Sequence, residues 1–168
     1  MAGFPPADMP GLAAYFRGYW QFTRTIWEAA EQAQAEAAGE AVFRETELAG
    51  QLLYQERGHL RMLAVPGMRP IVFSRLFDYR FGVDDPARLQ VLFADGERVG
   101  QPYQDYLLRG NMVAPAADHL CGPDCYNAAY TLDSDEGFTM ETFINGPRKH
   151  TRVLTRYRRQ AGLSAAPA

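Results

Sequence analysis

Tyr19-Trp20-Gln21-Phe22-Thr23-Arg24-Thr25-Ile26 is the stretch on which the fold turns. Trp20, Phe22, Arg24 and Ile26 fall on one face, and Gln21, Thr23 and Thr25 on the other. A period of two is that of a half-buried β-strand. The alternation returns over 71–82, where Phe73, Arg75, Phe77, Tyr79 and Phe81 oppose Val72, Ser74, Leu76, Asp78 and Arg80. Further strands are predicted at 40–48, 51–57, 59–64, 88–94, 97–106, 125–132, 137–144 and 149–158. Gly50, Gly58, Pro66-Gly67, Asp84-Asp85-Pro86, Asp95-Gly96, Asp133 to Gly137 and Gly146-Pro147 punctuate them. Short strands at this spacing make a sandwich or a barrel, and no long helical pattern alternates with them to make a parallel sheet. The expected architecture is mainly β: one antiparallel barrel of 8–10 strands, about residues 12–159, which closes its own edges.

Two other segments read differently. Residues 10–17 carry Leu12, Tyr15 and Phe16 at helical spacing, which predicts a short N-terminal helix. Residues 28–39 are Ala, Glu and Gln, good helix formers without a large apolar face. They are expected to form a hairpin connection with at most a helical turn, ending at Gly39. The C-terminal stretch after Arg159 is expected to be disordered.

With 168 residues, 47% hydrophobic and 22% charged, the chain is expected to be one domain, 1–168, with a real core. A net charge of −3 lacks the basic footprint of a nucleic-acid partner. No apolar run of membrane-spanning length occurs and the N-terminus lacks a leader pattern, so no membrane partner is expected. A cytoplasmic location with Cys121 and Cys125 reduced follows from the same reading. Nucleotide-binding glycine loops and the Gly-x-Ser-x-Gly elbow are absent from the sequence, which disfavours the common kinases, dehydrogenases and hydrolases.

Phe16-Arg17-Gly18-Tyr19-Trp20 followed by Arg24 resembles the Gly-x-Trp opening strand of lipocalins and other calycins. His119-Leu120-Cys121-Gly122-Pro123-Asp124-Cys125-Tyr126, Gly146-Pro147-Arg148-Lys149 and Thr155-Arg156-Tyr157 are similar to a family of unknown function, DUF6314. Tyr54-Gln55-Glu56-Arg57-Gly58 and Arg75 with Tyr79 fit the same pattern. The resemblance implies a calycin-like barrel over roughly 12–158 and carries no settled activity. After Asp95-Gly96 the family shows an aromatic-His pair, where this chain has Glu97-Arg98-Val99-Gly100, so that histidine's role does not transfer.

Charges on apolar faces mark the candidate chemistry. Arg75 lies among aromatics, Arg24 shares a face with Trp20 and Phe22, and Glu56 shares one with Tyr54. A buried guanidinium is expensive unless paired. If these faces line a cup, they make an anion-recognising site with Tyr54 and Tyr79 as orienting donors. The alternative is a self-satisfied Arg–Glu pair, with Arg24 stacked on Trp20. The expected ligand-binding set is Trp20, Phe22, Arg24, Tyr54, Phe73, Arg75, Phe77, Tyr79, Tyr126, Met140, Lys149 and Tyr157, with Phe138 as a further wall. Glu56, His119 and Asp124 are the candidate acid–base groups. His119, Cys121 and Cys125 lack a second ligand pair except His59 or His150, so no metal is expected, and no cofactor. The basic stripe His150, Arg152, Arg156, Arg158 is expected to be a solvated face, with Glu141, Glu45 or Glu47 as neighbours.

Three functions stay open. The first is a binder of a small hydrophobic or aromatic ligand with an acidic group. The second is a cofactor-independent lyase, isomerase or cyclase on the same cup. The third is a protein-interaction module with a filled barrel. A homodimer is left open.

Overall fold

The computed structural model describes residues 3–29, 31–117, 119–121 (backbone alone) and 123–161. The strands are β1 (Gly18–Glu28), β2 (Ala35–Glu45), β3 (Gln51–Met62), β4 (Ile71–Phe81), β5 (Arg88–Phe93), β6 (Pro102–Arg109), β7 (Met112–Pro115), β8 (His119–Cys121), β9 (Asp124–Ser134), β10 (Gly137–Gly146) and β11 (Lys149–Arg159). Each pairs antiparallel with its neighbour from β1 to β7. β7 meets β9, β9 meets β10, β10 meets β11, and β11 returns to β1. Ten strands therefore close a barrel, and β8 is a short appendage on β9.

A helix, α1 (Met9–Phe16), plugs one end. The Asp8 carboxylate caps it by accepting from the Gly11 amide at 2.8 Å. Leu12 and Phe16 are fully buried, and Phe16 stacks on Phe43 at 5.0 Å. The Trp20 indole donates to the Phe16 carbonyl at 2.8 Å and meets Phe138 edge-on at 4.7 Å. The predicted helix at 10–17 and the strand at 19–26 are therefore both found.

Three expectations need correction. Residues 51–57 and 59–64 are one strand, with Gly58 in its middle. Residues 35–39 are the start of β2, not the end of a connection. The predicted strand 97–106 starts only at Pro102, after a 3-10 turn at Gly96–Arg98. One cause covers the first two. Phe22, Gly39, Gly58 and Phe73 form a single row across four strands. A Cβ on Gly39 would lie 2.0 Å from the Arg57 carbonyl oxygen, and one on Gly58 would lie 2.7 Å from that of Ala38. The strands pass so closely there that only glycine fits, and Phe22 and Phe73 cover the bare backbone. Tertiary packing overrides the helical propensity of the alanines, since Ala35 and Ala37 are buried in the wall. Residues 162–168, in the tail expected to be disordered, lie outside the described residues.

Candidate functional site

Opposite the plug the barrel opens into a cup of about 870 Å³. Its floor is made by alternating positions of β1, β3 and β11, which bring Arg24, Tyr54, Glu56, Thr155 and Tyr157 together. The Arg24 guanidinium grips Glu56 with two parallel hydrogen bonds, Nη1 to Oε1 at 3.0 Å and Nη2 to Oε2 at 2.8 Å. Its Nε donates to the Thr155 hydroxyl at 2.9 Å, and its plane lies 4.9 Å from the Phe22 ring centre. The two side chains are 16% and 4% exposed, so this is a buried ion pair whose remaining groups are largely satisfied.

Burial by itself raises the Glu56 carboxyl pKa, but the Arg24 hydrogen bonds and charge, with the Tyr54 hydroxyl, outweigh it and hold the group below the usual carboxylate value. Burial likewise disfavours the Arg24 cation, and the bond to Glu56 more than reverses this. The Tyr54 hydroxyl donates to Glu56 Oε2 at 2.6 Å. The Tyr157 hydroxyl, 3.0 Å from Tyr54, must then supply the proton of that contact. Tyr157 is pushed up to about 12, chiefly by burial and then by the Glu56 charge. Tyr79 and Tyr130 share a second buried hydroxyl pair at 2.6 Å.

Arg75 is the register partner of Glu56 on β4, yet its side chain is exposed at the cup. It makes no hydrogen bond or ion pair with the described residues. Phe77, Tyr79, Tyr126 and Met140 also line the cup. Trp20 lies below it in the core. Phe22 and Phe73 pack behind the floor, against the glycine pair and Arg24. Asp124 and Lys149 face each other at 3.7 Å between β9 and β11, outside the lining. The His119 and Cys121 side chains lie outside the described residues. The arginine stacked on Trp20 is Arg159, at 4.2 Å, not Arg24. In the basic stripe, Arg152 pairs with Glu141 at 2.6 Å, whereas Glu45 pairs with Arg17.

Sequence reasoning missed Tyr103, Thr142 and the Glu97–Arg98 turn, all of which line the cup. Tyr103 arrives through a register shift, where Val91 pairs with Gln104 but Leu92 with Pro102. A bulge gives no signal in simple alternation.

A closed antiparallel barrel, plugged at one end and cupped at the other, places the protein in the lipocalin-like class. The chain belongs to the Family of unknown function (DUF6314), whose model matches residues 16–159. No curated protein matches it significantly. Among solved structures it is similar to the S-type phycobiliprotein lyase CPES from Guillardia theta, with a TM-score of 0.67 and 9% identity over 93% of this chain and 94% of that one. A protein of unknown function from the DUF3598 family, from Nostoc punctiforme, superimposes with a TM-score of 0.55 and 12% identity, over 88% of this chain and 49% of that one. These likenesses establish the fold.

Proposed function

We propose that the protein binds a small hydrophobic or aromatic molecule carrying an acidic group, held in the cup with that group on Arg75. The layout of charge carries this reading. Arg24 grips Glu56 in the floor, while the exposed Arg75 guanidinium, whose charge reaches Glu56 without a hydrogen bond, lines the open volume and makes no ion pair with the described residues. A planar fork of N–H donors at the edge of an aromatic cavity suits a carboxylate or sulfonate. Phe77, Phe93, Tyr103 and Met140 supply apolar and aromatic walls. The open volume argues against a filled barrel. A Glu56 carboxyl held ionised by Arg24 is a poor proton donor near neutral pH, which argues against its use as a general acid.

The test uses two fluorescent probes of similar shape, anionic anilinonaphthalene sulfonate and neutral phenylnaphthylamine. Both should bind. Arg75→Ala should weaken the anionic probe about tenfold, the worth of one charge-assisted hydrogen bond, and leave the neutral one unchanged. Equal affinity of wild type and variant for the anionic probe would refute the anchor, and failure of both probes would refute the binding cup. Native mass spectrometry of the purified protein then reads whether a natural ligand travels with it.

A further inference from the structure

The barrel wall is incomplete beside the cup. β3 and β4 pair along nearly their whole length, from Gln51 with Arg80 up to Leu60 with Ile71. On its other side β4 pairs with β5 only from Phe77 to Phe81. Above that, the Leu76 carbonyl accepts from Ala94 and its amide donates to Asp95, and the ladder stops. Antiparallel pairing alternates direction, so the backbone groups of Val72 and Ser74 point the same way as those of Leu76. On that side no described residue meets them. Val72 is 73% exposed, and Ile71 and Ser74 are exposed as well. Ser74 and the Asp95–Arg98 turn both line the cup, so this open edge borders its mouth.

We infer that the Val72–Ser74 edge of β4 receives an extended acidic peptide segment of a partner protein by strand addition. An unpaired edge supplies main-chain hydrogen bonds to any extended chain, and flanking side chains choose the sequence. Here the choice is set by charge. From Arg57 to Phe77 the chain holds four arginines and no Asp or Glu. Arg61 is taken by Glu36 on the far side, while Arg69 and Arg75 flank the open edge. Across the gap the turn carries Asp95, which accepts from the Leu76 amide and keeps its charge, with Glu97 and Arg98. A second copy of the same edge would bring Arg69 and Arg75 against their like, which is unfavourable for directly opposed strands. Exposed Val72 offers an apolar contact to an alternate residue of the incoming strand. Arg75 also lines the cup, so edge and cup share that guanidinium, whereas Arg69 lies outside the cup lining; the peptide test reads backbone protection at the edge and the probe test reads the cup, so either can fail alone.

The experiment is amide hydrogen exchange of the whole protein with three hexapeptides, in which Val alternates with Glu, Ser or Lys. The Glu peptide should slow exchange at Val72 and Ser74 about tenfold or more at saturation, and the Lys peptide should not. Val72→Pro should abolish binding without lowering thermal stability, because that N–H bonds to none of the described residues and proline is tolerated on an open edge. A Glu peptide N-methylated at alternate residues gives the same test without touching the protein. The inference is overturned if no peptide protects these amides. Protection that grows with protein concentration alone would assign the edge to a second copy. Protection by phosphatidylglycerol vesicles alone would assign the exposed Leu63–Val72 hairpin to a membrane surface.

Discussion

Arg24→Met should unmask the cost of the buried carboxylate beneath the cup. In the native protein Glu56 accepts two hydrogen bonds from Arg24 and one from Tyr54, and its side chain is 4% exposed. Removing Arg24 leaves a nearly buried charge with one neutral donor. Breaking a buried pair in this way costs roughly 3–5 kcal/mol. At about 2–4 °C per kcal/mol for a domain of this size, the midpoint should fall by about 6–20 °C. The pH dependence separates charge from packing. In the wild type the folded pKa of Glu56 is depressed, so its contribution is present above the unfolded carboxylate value and lost as pH falls through the folded one. Without Arg24, burial dominates and raises the folded pKa. The variant then carries its full penalty at neutral pH and recovers as pH falls toward the unfolded value. Urea unfolding at pH 7 and pH 5 reads the variant's recovery against a wild type in which Glu56 adds no slope over that window. Arg24→Met with Glu56→Leu removes both charges and should sit close to the wild type, as replaced buried pairs often do. A pH-independent loss, or a double variant as unstable as the single one, would show that shape rather than charge holds the floor.

Further outcomes follow from other contacts. Arg159 stacks on Trp20 and donates to the carbonyls of Tyr15, Arg17 and Asp135, so Arg159→Lys, which lacks the planar fork, should cost about 1–3 kcal/mol in urea unfolding; a wild-type midpoint would refute the clasp. Gly39→Ala should destabilise more than Gly58→Ala, because its Cβ meets backbone at 2.0 Å while part of the crowding at Gly58 is with the Phe22 and Phe73 rings; thermal melts rank them, and the reverse order would undo the account of the glycine row. Tyr54, Tyr79, Tyr106, Tyr130 and Tyr157 all have raised folded pKa values, chiefly through burial. Their contribution is intact below the unfolded value near 10 and lost as pH rises through the folded ones, so phenolate absorbance of these residues should appear together with alkaline unfolding. Ionisation well before loss of the β-sheet circular dichroism signal would contradict it.

The alternating runs were legible because one buried face leaves a period of two in the sequence. Trp20 to Ile26 and Phe73 to Phe81 set the inner faces of β1 and β4, which give the cup Arg24, Ile26, Arg75, Phe77 and Tyr79. The pairing of charges was not legible. Arg24, Arg75 and Glu56 share an interior, but only the register of β1, β2 and β3 shows that Arg24 reaches Glu56 while Arg75, opposite it, stays exposed. Gly39 and Gly58 read as breaks because isolated glycines usually are. Their meaning depends on the register that sets them opposite each other on β2 and β3, between Phe22 of β1 and Phe73 of β4. Tyr103 hides behind a bulge. Arg159 on Trp20 joins opposite ends of the domain, and no local pattern marks such a pair.

That last contact sets the order of events during synthesis. β1 is the first strand made, and its partners are β2 and β11. Until Arg159 has emerged from the ribosome, β1 has one bare edge and Trp20 lacks its cover. β1 to β10 can collapse as a curled, open sheet, with each hairpin forming locally. Closure waits for the final strand, a contact between residues more than a hundred positions apart, which is the slow kind. A nascent chain halted before β11 therefore exposes an aromatic core and a long open edge, the combination that holding chaperones recognise.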